Sequence, residues 1–395
     1  MKSLINTQLV EKKILLRVDL NVPVVGGIIT DKSRIEAIRL TVKKLQEQQN
    51  KVFLISHYGR PNGEIKNEYS LEFICATLIK ELNLKKIFFL KNLKEEEIRK
   101  TMNDMSFGEV CLIENVRFYP EEERGDLSFA KRISRNFDIF VNDAFSASHR
   151  RHASIVGFPK FLPSYAGYGL LKEIESINMF MNNSEKPNLA IIGGSKISTK
   201  IDLIYSLVNK CDVISICGAM ANTFLYTRGI NLGTSLLEKD LVPTAQSILK
   251  KAKAVNCKIL LPLDLVCADN LHDKINITQS DVAYINPNQM ALDIGDKTIK
   301  EIALYIMNSK SVLWNGPLGA FEYMPFEKSS IEIANVIKQA SKLGVLTIAG
   351  GGDTISAIKM AKAEDGFSYI SKAGGAFLEW LEGNESPGFQ ALKDY

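Results

Sequence analysis

Residues able to handle anions divide the chain into two unlike halves. Eleven of the twelve arginines fall at or before Arg151, and only Arg228 lies beyond; His57, His149 and His152, three of the four histidines, share that first part. A guanidinium fork grips carboxylate or phosphate bidentately, whereas a lysine acts as a point charge. Glycine leans the other way, with Gly193-Gly194, Gly350-Gly351-Gly352 and Gly374-Gly375 in the second part. Glycine turns that open helices aim backbone N–H groups at phosphates. Two anion sites of different style are therefore expected, one of side chains and one of backbone amides; chance and a lineage bias toward lysine are the alternative.

In the first half the chemistry is carried by short strings. In Arg17-Val18-Asp19-Leu20-Asn21-Val22-Pro23, Asp19 and Asn21 are two apart and share a side on continuing strand geometry. They either bond a polyol-like ligand or close an Asx turn at Pro23. Ser56-His57-Tyr58-Gly59-Arg60-Pro61 puts a cation pair, His57 and Arg60, after an apolar run, and Glu114-Asn115-Val116-Arg117-Phe118 is similar. The acidic run Glu121-Glu122-Glu123 beyond it reads as a solvated loop. The segment from Asn142 to Ser154 contains Asp143, His149, Arg150 and His152. It lacks the G-x-S-x-G elbow of a serine hydrolase and the further ligands of a metal site, so anion contact by one arginine is expected, with Asp143 orienting neighbours.

The second half reads as phosphate chemistry. Gly193-Gly194-Ser195-Lys196-Ile197-Ser198-Thr199-Lys200 follows the apolar run Leu189–Ile192. A helix starting there sets Lys196 and Lys200 on one face, where two ammonium groups repel unless an anion lies between them. Gly350-Gly351-Gly352-Asp353-Thr354 also ends an apolar run; its glycines free backbone amides for phosphate, Asp353 or Thr354 is a natural N-cap, and Asp353 is a candidate Mg²⁺ ligand. A tight turn with a capping Asp is the plainer reading. Trp314-Asn315-Gly316-Pro317-Leu318-Gly319-Ala320-Phe321-Glu322 forms a third loop whose polar tips, Asn315 and Glu322, suit a nucleotide phosphate and ribose. No Gly-Lys dipeptide and no G-x-G-x-x-G occurs, so neither a P-loop nor a Rossmann dehydrogenase fingerprint is present.

These residues need a scaffold that gathers them. Short β-branched runs recur at Ile14–Val18, Val52–Ile55, Ile87–Leu90, Val110–Ile113, Ile139–Val141, Leu189–Ile192, Val213–Cys217, Ile259–Leu263, Val312–Trp314, Val345–Ile348 and Phe367–Ile370. Helical periodicity lies between them at Ser33–Gln48, Leu241–Ala254 and Ile331–Leu343. Strand–helix alternation predicts an α/β fold with parallel sheets. The unusual residues follow the strands, which is where open α/β sheets bind ligands. The Pro/Gly-rich stretch 157–169 is the best domain boundary, and Asn183–Pro187 is a second break.

Composition closes other routes. The chain has 395 residues, 46% hydrophobic and 24% charged, with net charge +4. That length suits two domains, and the charge balance by itself implies no nucleic acid. No apolar run reaches the ~18–20 residues that span a bilayer. No secretory leader is expected at Met1–Asn6. The six cysteines form no C-x-x-C pair and are expected as free thiols in a reducing cytosol.

Taken together, R-V-D-L-N-V-P, S-H-Y-G-R-P, E-N-V-R-F, N-D-A-F-S-A-S-H-R-x-x-A-S, G-G-S-K-I-S-T-K, W-N-G-P-L-G-A-F-E and G-G-G-D-T, in this order from Arg17 to about Gly383, resemble the phosphoglycerate kinase family. The resemblance implies two doubly wound, Rossmann-like parallel-sheet lobes separated by a cleft. Residues 1–169 would bind 3-phosphoglycerate, 170–376 the nucleotide, and 377–395 would return to the first lobe. It implies ATP-dependent, Mg²⁺-assisted, reversible transfer to 3-phosphoglycerate, by a cytoplasmic monomer without nucleic-acid or membrane partners. Asp19, Asn21, Arg34, His57, Arg60, Arg117 and Arg150 match the phosphoglycerate contacts. Lys200, Asn315, Glu322, Gly351, Gly352, Asp353 and Thr354 match the nucleotide contacts, with Asp353 near the metal. Lys196 and Arg34 match residues near the transferred group; Arg34 carries no signal of its own.

Two places depart from the family strings. Cys217-Gly218 stands where Gly-Gly is usual, and Ser371-Lys372-Ala373-Gly374-Gly375-Ala376 where S-T-G-G-G-A is usual. Lys372 would add an anion contact. Another nucleotide-dependent phosphotransferase and a non-catalytic anion-binding protein are the other readings.

Overall fold

The computed structural model describes residues 1–182 and 185–394; Asn183 and Ser184 of the second break, and Tyr395 at the end of the expected tail, lie outside them. The chain divides into two compact units, Met1–Glu175 with Glu385–Tyr395, and Ser176–Asn384.

Unit 1 is built on strands β1 (Lys13–Arg17), β4 (Lys51–Ile55), β5 (Phe88–Leu90), β6 (Val110–Ile113), β7 (Ile139–Asn142) and β8 (Ser164–Ala166), with a small hairpin β2 (Val24–Val25) and β3 (Ile28–Ile29). The six larger strands run parallel in the order β5-β6-β4-β1-β7-β8. Parallel neighbours need crossover connections, which the helical segments between them supply. Ile14, Leu15, Leu16, Val52, Phe53, Leu54 and Leu112 have no solvent exposure, as strands covered on both faces require. Arg17 pairs across the sheet with Ile55 and with Asn142, so the loops after β1, β4 and β7 leave the sheet at one level. The chain's final helix, Pro387–Asp394, lies on this unit: Gly388 N donates to Ser148 O at 2.8 Å, and a Cβ at Gly388 would sit 2.7 Å from Ile155 Cγ2.

Unit 2 has a second parallel sheet, in the order β11 (Lys258–Leu260), β10 (Val213–Ile216), β9 (Asn188–Ile192), β15 (Ser311–Asn315), β16 (Leu346–Gly350), β17 (Tyr369–Ser371). Between β11 and β15 the chain forms an antiparallel insert of β12 (Asp264–Ala268), β13 (Thr278–Asp281) and β14 (Met290–Ile294).

The architecture is the α/β, parallel-sheet one expected, with differences in detail. The expected strand Ile259–Leu263 ends early, because β11 stops at Leu260 and residues 261–263 form the connection to β12. The expected helix Ser33–Gln48 is broken at Ile38 into Ser33–Ala37 and Arg39–Glu47. The stretch 157–169 is not a bare linker, because it holds edge strand β8. The unit division falls after Glu175, inside the helix Tyr168–Met181, a little downstream of residue 169. Residues 377–384 belong to unit 2, so only the last part of the expected tail belongs to unit 1.

Candidate active site

In unit 1 the strand ends assemble a polar cluster. Asp19 follows β1 and accepts from Arg34 Nη1 and Ser146 Oγ through Oδ2, and from Asn21 N at 3.0 Å through Oδ1. The Asx turn is thus present, closed at Asn21 N. Burial alone would push the Asp19 carboxyl up; the Arg34 guanidinium, the Ser146 hydroxyl and the Asn21 N–H override it and hold the group well below the usual carboxylate range. Asn21 Oδ1 accepts from Gly59 N at 3.0 Å, which ties the loop after β1 to that after β4. Asn115, after β6, clamps the same loop by donating to Tyr58 O (2.6 Å) and Tyr69 O (2.9 Å). Arg117 Nη1 donates to Gly59 O at 2.7 Å, and its Nε lies 3.2 Å from Glu123 Oε1. Arg150 Nε lies 3.2 Å from His149 Nε2.

His57 is buried, with Nδ1 3.2 Å from Arg17 Nη2. Burial, reinforced by Arg17, Arg117 and Arg150, pushes its pKa well down against the pull of Asp19. The expected His57–Arg60 cation pair is therefore a neutral imidazole beside one cation. A guanidinium only donates, so Nδ1 is the acceptor and Nε2 carries the proton. Arg60 is exposed, and among the described residues it has no hydrogen-bond partner.

Sequence reasoning gave no role to Arg17, Ser154 or Glu122 of this cluster. Arg17 is 1% exposed and donates from Nε to Ser154 Oγ at 2.9 Å; Ser154 Oγ donates on to Glu122 Oε1 at 2.6 Å, and Ser154 N to Glu122 Oε2 at 2.8 Å. Glu122 has no exposure. The acidic run is thus not simply a solvated loop: it forms the helical turn Pro120–Glu123, with Glu122 buried on Ser154 and the exposed Glu123 beside Arg117. The only available signal was position, since Arg17 ends a strand and opens the Asp19 string. Asp143 is buried behind the cluster; Oδ1 accepts from Leu170 N at 2.8 Å, so it orients the chain leaving the sheet rather than an arginine.

In unit 2 the two expected lysines do different work. The α-helix starts only at Ile201, and Ile197–Thr199 is a separate 3₁₀ turn, so Lys196 and Lys200 do not share an α-helix face. Lys200 turns inward, where Nζ donates to Gly193 O (2.7 Å), Asn315 O (3.2 Å) and Asn315 Oδ1 (2.6 Å). Burial pushes its pKa down to about 8 although Asp353 pulls it up. Lys196 stays exposed and makes no side-chain hydrogen bond among the described residues.

The loops after β9, β15 and β16 interlock at the same level. Asn315 Nδ2 donates to Gly350 O at 2.7 Å, and Gly316 N to Thr354 Oγ1 at 2.7 Å. A Cβ at Gly193 would overlap Pro317 O, so only glycine allows this approach. Gly351, at φ +102°, is the N-cap of the helix Gly352–Met360. Neither Asp353 nor Thr354 caps it: Thr354 is committed to Gly316, and Asp353 is exposed in the first turn. Glu322 is exposed at the far end of its loop. Lys372 is exposed one residue beyond Ser371, which pairs with Gly350.

No cluster of three or more His, Cys, Asp or Glu able to hold an ion occurs among the described residues. Mg²⁺ fits such a site, because it keeps several waters and binds through one or two carboxylates plus substrate phosphates. Exposed Asp353, beside the glycine loop, is the carboxylate available.

A guanidinium cluster at the strand ends of one parallel α/β unit, and glycine-lined helix starts with lysines at those of another, define an enzyme of the kinase class, built for anionic substrates. The chain belongs to the phosphoglycerate kinase family, whose model matches residues 4–384. It is 43% identical to phosphoglycerate kinase of Sinorhizobium medicae strain WSM419 over 98% of this chain and 97% of that protein. It is 45% identical to that of Orientia tsutsugamushi strain Ikeda, over 97% and 94% respectively. The solved structure of phosphoglycerate kinase from Coxiella burnetii superposes with a TM-score of 0.91 at 35% identity, covering 99% of this chain and 98% of that one.

Proposed function

We propose that this chain transfers a phosphoryl group reversibly between ATP and 3-phosphoglycerate, giving ADP and 1,3-bisphosphoglycerate. It would do so by direct in-line displacement with Mg²⁺, as a cytoplasmic monomer. The observation that carries the reading is the division of anion-binding chemistry, with guanidiniums in unit 1 and backbone amides with lysines in unit 2. Asp19, Asn21, Arg34, His57, Arg60, Arg117 and Arg150 would hold the phosphoglycerate. Lys200, Asn315, Glu322 and Gly351–Thr354 would hold the nucleotide.

The nucleophile is the substrate's own carboxylate, ionised at neutral pH, so no general base is required. The neutral His57 agrees, since its Nε2–H can only donate to substrate oxygen. Catalysis then reduces to positioning and charge stabilisation. Arg34, with one donor on Asp19, keeps others for the transferring group, and Lys196 offers an uncommitted ammonium to it. Asp353 would hold Mg²⁺, which supplies charge neutralisation on the nucleotide phosphates. Because the two ligands are assigned to different units, closure would have to bring them together and exclude water.

Incubation with Mg-ATP, 3-phosphoglycerate and hydroxylamine tests the reaction. Hydroxamate from the trapped acyl phosphate is expected, and Lys196→Ala should lower its rate by orders of magnitude; no hydroxamate from the wild-type protein refutes the reading. Small-angle scattering should show compaction with both ligands bound, and equal compaction with neither refutes closure.

A further inference from the structure

The antiparallel insert of unit 2 has no part in the scheme above, yet it delivers a buried acid to the back of the nucleotide loop. Asp293, on β14, is 4% exposed. It accepts from Ser329 Oγ, from Ser329 N at 3.1 Å and from Ile294 N at 2.9 Å. No cation pairs with it within salt-bridge distance among the described residues. The loop after β15 is laid directly on this carboxyl, and a Cβ at Gly319 would overlap Asp293 Oδ1. On either side Ala320 N donates to Leu292 O at 2.7 Å, and Leu318 N to Ser330 Oγ at 3.1 Å. Leu318 O accepts in turn from Gly218 N at 2.9 Å. Farther along, Phe326 joins Leu292 and Ala268 in one apolar cluster, with Ala320 and Tyr323 packed against it.

We propose that Asp293 is a positioning residue for nucleotide binding, and that the insert is the platform that fixes the Asn315–Glu322 loop from behind while Lys200 and Gly350 fix its front. The proposal rests on the assignment of that loop to the nucleotide. An acid buried without a cation is costly. Here that cost is accompanied by a backbone approach only glycine permits, on the one loop that carries both Asn315 and Glu322. The consequence is selective: loosening this support should weaken nucleotide binding and leave phosphoglycerate binding alone.

Steady-state kinetics of the full chain test this with Asp293→Ala, and with Gly319→Ala, which crowds the carboxyl while keeping it; circular dichroism checks that each folds. Both should raise the ATP KM tenfold or more, with the phosphoglycerate KM within twofold. Asp293→Asn, which keeps the shape and the oxygen that accepts from Ser329 Oγ and Ile294 N, should restore the ATP KM to within about threefold of wild type. An unchanged ATP KM in folded Gly319→Ala, or equal rises in both KM values, overturns the proposal. Lys200→Met, measured alongside, separates the two failures. If its ATP KM is also unchanged, the nucleotide assignment itself is wrong; if it rises while Gly319→Ala does not, the support role alone is wrong.

Discussion

Arg60 and Lys196 stand out because, among the described residues, neither side chain has a hydrogen-bond partner, while their neighbours do. Arg17 is held by Ser154, Arg34 by Asp19, Arg117 by Gly59, and Lys200 by three acceptors. Tied cations shape a site; a free one is available to a ligand. A charge-assisted hydrogen bond is worth about 1.5–3 kcal/mol, and each 1.4 kcal/mol is about tenfold in affinity. Arg60→Ala should therefore raise the phosphoglycerate KM about tenfold or more and leave the ATP KM within twofold; the reverse pattern means the two units are misassigned. Lys372 is exposed beside the glycine loop, so Lys372→Thr should raise the ATP KM, and unchanged ATP KM and kcat dismiss a role for it. The strings that place these residues after strands were legible in the sequence. The contrast between Lys196 and Lys200 was not, because four-residue spacing implies a shared helix face, whereas a 3₁₀ turn and the approach of Asn315 separate them.

At the scale of elements, the turn Pro120–Glu123 decides how the arginines sit. Glu122 receives both donors of Ser154 and is entirely buried. Removing one partner of a buried charged network costs about 3–5 kcal/mol. Glu122→Ala should lose stability of that order in urea unfolding and raise the phosphoglycerate KM, whereas a loss under about 1 kcal/mol would show that the turn is incidental. Three consecutive acids read as solvent-facing, and nothing in the sequence marks Ser154 as their partner. The parallel strands were legible because burial on both faces leaves continuous apolar runs. The insert was not: β13 is Thr278-Gln279-Ser280-Asp281, with no apolar residue, and is exposed or half-buried throughout.

For the whole molecule, buried acids set the pH response. Burial pushes Asp143 up to about 6, against hydrogen bonds from Thr41, Leu170 and Gly169, and Asp293 up to about 7. An acid whose pKa is higher folded than unfolded binds more protons in the native state, so stability falls as pH rises from near 4 through those values. Asp19 works in the opposite sense, stabilising above the unfolded carboxylate range and losing that contribution in acid. Among the described residues Asp143 Oδ2 has no hydrogen-bond partner, so Asp143→Asn can place its amide there without losing an accepted bond. The variant should gain stability relative to wild type between pH 5 and pH 8, on the order of 2 kcal/mol, measured by urea unfolding at both; parallel pH curves would contradict the assignment. A crystal grown with 3-phosphoglycerate and a non-hydrolysable Mg-ATP analogue would show whether the two ligands bind on separate units. Phosphoglycerate is expected on Arg34, Arg60 and Arg150, and nucleotide phosphates at Gly351–Thr354 near Lys196. Either ligand bound on the other unit, or away from these strand ends, would contradict this division.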